Sequence, residues 1–373
     1  MKNKILKYDF LIVGGGLIGC LTAIALYQKK YKVLIIEKNT IPPKDLRTLA
    51  VNANSRTFLD KLGLWNKLKN EEEPINKIII RDLINTNNLT FQNSEESMGS
   101  VIFNNSLLKI CRTFLIKRNI LYTGLDFDLL NFKPNSKAII KNQSYVFKKI
   151  ILSLGKNYEN IQNLNKTYFK SHHHAYVGFL KHSKHHQQIA YETFTSNGPI
   201  AILPAPNHEK KISTFIYSTS LKMNLSSLSN LIKRNFELSH GQINLNKSFS
   251  IFSINPHLSQ SINKNLLLIG DTFHSIHPVA GQGWNLGIKD IQELIKCLDK
   301  FGIDNDNFDQ FYSSKRTIEN FGYLAFTSLI NRLYEKNSLL SKTIIKSSFY
   351  TLNNLPILKR AFIGQAMGKI NLI

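Results

Sequence analysis

The residues with chemical potential fall into two glycine-rich runs. The first, Gly14-Gly15-Gly16-Leu17-Ile18-Gly19, has the G-x-G-x-x-G spacing and stands between an apolar run at 8–13 and a helix-forming stretch at 17–29. Gly14 permits a tight turn, Gly16 lets backbone approach a pyrophosphate, and Gly19 lets helix and strand pack closely. A phosphate placed there meets the free N–H groups of a helix N-terminus. Glu37 closes a second apolar run at 32–36, about 20 residues on, where a ribose-binding acid belongs. The second run starts at Leu266 and reads Gly270-Asp271, His274, His277-Pro278, then Ala280-Gly281-Gln282-Gly283-Trp284-Asn285-Leu286-Gly287. This is a strand delivering an Asp to a glycine turn that opens a helix, whose N–H donors and positive dipole end suit a negative partner. A plain nicotinamide dehydrogenase has no use for a second such segment, so the pair predicts a longer cofactor touched at both ends.

These runs need elements to hold them. Residues 8–36 read as one βαβ unit, with strands apolar throughout as expected for a parallel sheet covered on both faces. A helix is expected at 55–65, then strands at 77–81 and 89–91 that look like an excursion into a separate sheet. A helix at 105–117 and a strand at 144–154 return to the first domain. Strand-like segments at 175–180, 189–195, 200–203 and 212–218, with a helix at 225–238, predict a second, sheet-containing domain. A strand at 266–269 precedes a helical remainder, in which Phe321, Leu324, Ala325, Leu329 and Leu333 follow the spacing of an amphipathic helix. The class is thus α/β: a Rossmann-like dinucleotide domain (1–74, 98–160, 261–310) interleaved with a β-sheet substrate domain (75–97, 161–260) and a helical C-terminal region (311–373).

With 373 residues and 43% hydrophobic content the chain can bury a sizeable core, which excludes a small stapled scaffold. Cys20, Cys111 and Cys297 are far apart, so neither a disulfide framework nor a thiolate zinc site is expected, and a reducing compartment fits. Lys and Arg number 48 against 25 Asp and Glu, a formal charge of +23. Such a balance suits nucleic acid or an anionic membrane. The cations are spread along the chain without interleaved aromatics, so nucleic acid is not an expected partner. Lys2, Lys4 and Lys7 before an apolar run imitate a signal peptide, but Asp9 opens the run, glycines interrupt it, and Gln28-Lys29-Lys30 stands where a cleavage site would be. A cytoplasmic protein, soluble or on a membrane surface, is expected. His172, His173, His174, His182, His185 and His186 have no acid or Cys at ligand spacing. They read as a solvated loop and strand edge, with no metal.

The motif pair resembles the flavin monooxygenases of the aromatic-hydroxylase type, and within them the ubiquinone-biosynthesis hydroxylases. The most specific part is GDTFHSIHPVAGQGWNLGIKD, residues 270–290. Asp45-Leu46-Arg47-Thr48-Leu49-Ala50-Val51, Asn104-Asn105-Ser106-Leu107-Leu108, YETFTSNGPIAILPAP from Tyr191, Leu355-Pro356-Ile357-Leu358-Lys359-Arg360 and Met367-Gly368 resemble further family segments in the right order.

The resemblance implies that Gly14, Gly16 and Gly19 hold the FAD pyrophosphate, Glu37 the adenosine ribose and Asp271 the ribityl chain. It sets the helix opening at Gly281, Gln282, Gly283 and Asn285 against the pyrimidine edge of the flavin. Arg47, Asn105 and Gly270 join the cofactor contacts, and His277 with Pro278 lines the flavin pocket as catalytic candidates. The implied activity is hydroxylation of a polyprenylated phenol, with FAD as cofactor, NAD(P)H as co-substrate and dioxygen as oxygen source. Other quinone-biosynthesis proteins and an anionic membrane surface, at the inner face of the cytoplasmic membrane, are implied as partners. Ser153-Leu154-Gly155-Lys156-Asn157 departs from the family, keeping a glycine but lacking the acid of the usual Ala-Asp-Gly segment. An accessory scaffold and a flavin hydroxylase or reductase for another aromatic or lipid compound therefore stay open. Halogenases are disfavoured, because Trp65 and Trp284 cannot form a W-x-W-x-I-P motif.

Overall fold

In the computed structural model the apolar runs become strands and the glycine runs become turns between strand and helix. The structure describes residues 5–42, 47–126, 137–141, 143–156, 158, 164–169, 171–261, 263–278, 281–305, 307–336 and 338–369. Asp45, Leu46, Asn157 and Ala280 lie outside them.

The chain opens with β1 (Leu6–Val13), α1 (Leu17–Gln28) and β2 (Val33–Glu37), followed by β3 (Thr48–Asn52) and α2 (Ala53–Lys61). Strands β4 (Glu73–Ile75), β5 (Lys77–Asp82), β6 (Asn87–Gln92) and β7 (Gly99–Phe103) lead into α3 (Asn104–Ile116). Next come β8 (Leu121–Thr123), β9 (Lys137–Ile140), β10 (Gln143–Leu152) and β11 (Leu164–Tyr168). The middle of the chain holds β12 (His174–His182), β13 (Ile189–Thr195), β14 (Gly198–Pro204), β15 (Ile212–Thr219) and α4 (Leu225–His240). The chain then runs through β16 (Ile243–Ser253), β17 (His257–Ser261), β18 (Leu266–Leu268) and β19 (His274–Ser275). Four helices finish it: α5 (Gln282–Phe301), α6 (Phe308–Lys336), α7 (Leu339–Asn354) and α8 (Pro356–Ala366).

Two sheets carry the architecture. In the first, β18, β10, β1, β2 and β8 pair in parallel in that order, with β9 antiparallel on β10. Phe10 to Val13 and Val33 to Ile36 are buried, the continuous apolar pattern of strands covered on both faces. Helix α1 is buried nearly all round between this sheet and its helical neighbours. The second sheet runs β16-β12-β15-β14-β13-β5-β6, so the excursion strands β5 and β6 cross into it through the parallel pair β5/β13. Leu228, Ile232 and Phe236 of α4 pack on this sheet, while Tyr334, Ile345 and Phe349 of α6 and α7 join a core with Leu89, Phe91 and Phe194.

Three expectations need correction. The helix expected at 55–65 ends at Lys61, because Gly63 turns the chain at φ 69° and a short 3-10 turn follows at Trp65–Lys67. The apolar stripe of α6 is split: Leu324 is buried in the core and Leu333 half-buried against it, whereas the other three residues point outward. Phe321 is 50% and Leu329 57% exposed, and Ala325 is exposed too, while Arg316, Asn320, Thr327 and Asn331 are buried. The histidines are not all a solvated edge either. His172 and His185 are exposed, but His173, His182 and His186 are buried.

His182 faces inward on β12, its Nδ1 on Lys184 O at 2.6 Å and its Nε2 on Ser213 Oγ at 2.9 Å. Its ring meets His240 edge-on with centroids 4.9 Å apart and lies 6.3 Å from His186. Burial drives the His186 and His240 imidazoles down to about 4, with the neighbouring His182 pushing the same way in both and Arg81 adding to the effect at His240. Glu73 opposes the shift at His186. These rings are therefore neutral in the fold and take up protons on unfolding, so their contribution is present above about pH 6.5 and lost as pH falls toward 4. The expected outcome is a thermal midpoint that drops on acidification through this window, with a shallower slope in His240→Phe. A midpoint independent of pH between 6.5 and 4 would contradict it.

Candidate functional site

The carboxyl ends of β1, β2, β10 and β18 lie at one edge of the parallel sheet, where open α/β sheets bind their ligands. From β1 the chain enters the first glycine run. Gly14 sits at φ 107°, and a Cβ there would lie 2.2 Å from Ser153 O. A Cβ on Gly19 would lie 2.0 Å from Gly14 O. These two glycines are demanded by the protein itself. Gly16 differs, since a Cβ there meets nothing within 4 Å. It is the N-cap of α1, without a side-chain cap and without an acid in the first turn, so the first N–H groups of α1 remain for an anion.

Glu37, at the end of β2, fixes the turn from the other side. Its Oε2 accepts from Gly15 N at 2.6 Å and its Oε1 from Asn39 N at 2.9 Å. Arg112 of α3 donates to Gly15 O through Nε at 3.1 Å and Nη2 at 2.9 Å, and Nη2 lies 3.8 Å from Glu37 Oε2. Sequence reasoning missed Arg112. The available signal was an arginine set among Ile110, Cys111, Phe114 and Leu115 on a helix packed against α1.

The second run repeats this logic at the end of β18. Gly270 opens a 3-10 turn, Gly270–Thr272, at φ 62°, and Asp271 is half-buried in it. Helix α5 starts at a left-handed N-cap, Gly281, again without a side-chain cap or an acid in its first turn. Cβ atoms on Gly270 and Gly287 would lie 3.1 and 2.7 Å from the side chain of Ile18. Absence of side chains there lets α5 close down on α1.

Asp290 of α5 then ties the loop in place. Its Oδ2 accepts from Gly270 N and His274 Nε2, each at 2.8 Å, and its Oδ1 accepts from Arg316 Nε at 2.7 Å. Burial alone would raise the Asp290 carboxyl, but His274 and Arg316 bring it below the usual carboxylate range. His274 is thus an anchor of the loop. Asn285 serves as a brace, its Nδ2 donating to Ala50 O at 2.9 Å and its Oδ1 accepting from Asn52 N at 3.1 Å. Both ends of its amide are committed to β3, so it positions the start of α5 from behind. Gln282 and Gly283 occupy the first turn of α5 itself.

Between the two runs, the segment without the expected acid is held by another residue. Thr272 Oγ1 accepts from Leu154 N at 2.6 Å and Gly155 N at 3.1 Å. Asn105 sits in the first turn of α3. Arg47 is exposed and lies 5.1 Å over the Phe252 ring, lining a hollow of about 50 Å³ with Gly178, Phe179 and Ser248 to Ser250. Its guanidinium is thereby placed against the second sheet.

His277 ends a hydrogen-bonded chain that reaches the surface at Glu335. Glu335 Oε1 lies 2.8 Å from His173 Nε2, and His173 Nδ1 lies 2.9 Å from His277 Nε2. Burial pulls both imidazoles down, His277 to about 3, where His173 and Lys156 push the same way. A carboxylate only accepts, so neutral His173 carries its proton on Nε2 and accepts at Nδ1 from His277 Nε2–H. His277 Nδ1 is then a bare acceptor, buried and without a partner among the described residues.

These features fit a dinucleotide bound end to end. Open space before Gly16, two uncapped helix N-termini, an acid at the tip of β2 and Asp271 by the second turn all meet at one sheet edge. Comparison with known proteins agrees. The family model described as FAD binding domain matches residues 7–112 and 179–304. The chain belongs to this FAD-binding family. The protein is accordingly a flavoprotein with FAD as its cofactor.

Ubiquinone hydroxylase UbiL of Rhodospirillum rubrum is 26% identical over 98% of this chain and 90% of its own length. Ubiquinone hydroxylase UbiM of Neisseria meningitidis is 23% identical over 97% and 85%. Among solved structures, p-nitrophenol 4-monooxygenase PnpA from Pseudomonas putida superposes with a TM-score of 0.73 at 13% identity, covering 97% of this chain and 99% of that one. The flavin-dependent brominase Bmp2 gives 0.77 at 13% identity, over 98% and 94%. At such identities these two establish the shared fold.

The glycines separate two effects in this FAD-binding protein. Gly16→Ala is expected to leave the unfolding midpoint of the flavin-free protein unchanged while weakening FAD retention. Gly14→Ala, which combines a positive φ with a backbone collision, is expected to destabilise the flavin-free protein by more than ~1–2 kcal/mol. Calorimetry of the flavin-free proteins with fluorimetric FAD titration checks both. Equal unfolding midpoints in the two variants would refute the distinction.

Proposed function

We propose that this protein is an FAD-dependent monooxygenase that hydroxylates the aromatic ring of a polyprenylated phenol in ubiquinone biosynthesis, with NAD(P)H as electron donor and dioxygen as oxygen source. The observation that carries this reading is the nearly end-to-end likeness to proteins named ubiquinone hydroxylase, on a chain whose two cofactor runs meet at one sheet edge. FAD, when bound, would supply the redox chemistry between nicotinamide and oxygen.

The protein's own residues do the rest. The α1 N-terminus and Gly16 receive the pyrophosphate, Glu37 the ribose and Asp271 the ribityl hydroxyls. The uncapped N-terminus of α5 at Gly281 to Gly283 would offer its positive dipole end to the flavin ring and so favour negative charge there. His277 takes the phenol proton at its bare Nδ1, beside Pro278 in the flavin pocket. As it does, the Nε2 proton of His277 passes to His173 Nδ1 and the Nε2 proton of His173 to the Glu335 carboxylate. Glu335 is 46% exposed at its side chain and releases the proton to water. Arg47, in the seam with the second sheet, handles the nicotinamide or the flavin. The protein works in the cytoplasm at the inner face of the membrane, with other quinone-biosynthesis proteins as partners.

The missing acid at Leu154 favours one second reading, an accessory flavoprotein of a quinone-biosynthesis complex. Purified protein is expected to be yellow and to be reduced by NADH or NADPH in stopped flow. Its gene deletion is expected to accumulate a quinone precursor lacking one hydroxyl, seen by mass spectrometry. Bound FAD that neither nicotinamide reduces, with an unchanged quinone pool, would favour the accessory reading. His277→Ala is expected to lower the hydroxylation rate by about a hundredfold or more, the contribution of a positioned proton acceptor, with flavin content unchanged. Asp271→Ala is expected to lose flavin instead, and unchanged FAD content would remove Asp271 from the site.

A further inference from the structure

The two faces of the second sheet are built from different residues. On one, Tyr176, Tyr217 and Ile200 pack in a core with Leu228, Ile232 and Phe236 of α4. Their neighbours Ala175, Ser218 and Pro199 face the other way, by the period-two alternation of strands. These three stand in one row: Ser218 pairs with Ala175 on β12 and lies beside Pro199 on β14, which pairs with Phe194 on β13. Where the α4 side presents two tyrosines and an isoleucine, this side presents an alanine, a serine and a proline. Helix α6 lies over the row. At one end the Tyr334 ring stacks on Phe194, with centroids 4.6 Å apart. At the other, Glu335 reaches His173, two residues before Ala175, and His173 leads to His277. Asn331 sits one turn earlier on α6, on the same side as Glu335 by its i, i+4 spacing. Two polar groups here are left over. Ser218 is 1% and Asn331 7% exposed, yet neither Ser218 Oγ nor Asn331 Oδ1 has a hydrogen-bond partner among the described residues. Folded proteins seldom bury such groups unpaired unless something bound completes them.

We propose that Ser218 and Asn331 read a second hydroxyl on the substrate ring, so that the preferred substrate is a phenol already carrying one further hydroxyl. The chemistry of the two groups selects that substituent. A serine hydroxyl can donate, whereas an amide carbonyl only accepts. A ring hydroxyl satisfies both, its oxygen taking the Ser218 proton and its own proton going to Asn331 Oδ1. A methoxy group satisfies Ser218 alone, and a ring hydrogen satisfies neither. The inference rests on the proposed hydroxylation, in which the reacting phenol gives its proton to His277 Nδ1, and adds to it which ring is chosen.

The test gives FAD-loaded protein short-chain prenylated phenols that differ in one ring substituent, hydroxyl, methoxy or hydrogen, tried at each free ring position. At one position kcat/KM is expected to fall in that order, with about a hundredfold between hydroxyl and hydrogen. Ser218→Ala is expected to lower kcat/KM for the hydroxyl substrate about tenfold and to compress its ratio to the hydrogen substrate, with flavin content unchanged. Asn331→Leu, of similar volume, is expected to bring the hydroxyl and methoxy substrates level. Equal kcat/KM for the three substituents at every position would overturn the proposal. So would ratios unaltered in both variants, because the leftover groups would then hold only water. Binding without turnover, read from the flavin absorbance in the absence of nicotinamide, separates the two readings. If all the phenols are hydroxylated alike, the second-hydroxyl site falls and the enzyme reading stands. If none is hydroxylated, yet the hydroxyl compound perturbs the flavin at the lowest concentration and Ser218→Ala weakens this, the reverse follows.

Discussion

The loop that carries the second glycine run depends on one buried carboxylate. Asp290 is wholly inaccessible and accepts three hydrogen bonds, from the Gly270 backbone, the His274 ring and the Arg316 guanidinium. Those donors come from the turn after β18, from β19 and from α6, so a single side chain fixes three elements against α5. Arg316 continues the network to Glu319 and to Asn320. Such a charge is tolerated in the interior only because its partners are complete, and removing one partner of a buried pair costs about 3–5 kcal/mol. The turn bearing Asp271 is therefore rigid before any ligand arrives, which is what a site needs if binding energy is not to be spent on ordering it.

Around this node the glycines divide into two kinds. Gly14 and Gly19 are required by the backbone, since a Cβ would collide with Ser153 O or Gly14 O, while a Cβ on Gly270 or Gly287 would crowd the Ile18 side chain. They set the distance between sheet, α1 and α5. Gly16 is required by nothing in the protein, and its smallness makes sense only for something bound in front of it. The contrast shows which positions build the cradle and which one faces its contents.

The two cofactor runs were legible in the sequence because their chemistry is local: a strand end, a turn and a helix start lie within a few residues of one another. The βαβ unit and the crossing of β5 and β6 were legible for the same reason, since apolar runs and polar breaks mark strands directly. What escaped was long-range. Arg112 meets Gly15 across 97 positions and His173 meets His277 across 104, and no spacing rule connects such pairs. The triplet His172 to His174 looked uniform, yet only His173 is buried. Thr272 supporting Leu154 and Gly155 is another such case: the missing acid was visible, whereas the hydroxyl that holds the same backbone was not.

Helix α6 shows why periodicity alone could not orient an element. Apolar spacing at Phe321, Leu324, Ala325, Leu329 and Leu333 correctly indicated a helix, but it merged two sides, since Leu324 is buried and Leu333 half-buried while Phe321, Ala325 and Leu329 are exposed. The opposite side carries Arg316, Glu319 and Asn320, and these belong to the Asp290 network. Turning the helix would break the buried pair and leave Asp290 uncompensated, at a cost of about 3–5 kcal/mol. Once Arg316 is committed to Asp290, the rotation of the helix is fixed, with Tyr312, Tyr323 and Leu324 turned inward and Phe321, Ala325 and Leu329 outward. The same carboxylate that holds the Gly270–Thr272 turn thus orients α6 along its length. The glycine turn and the orientation of α6 are two ends of one constraint, which is why ion-paired Arg316 shares the inward side of the helix with Tyr312, Tyr323 and Leu324.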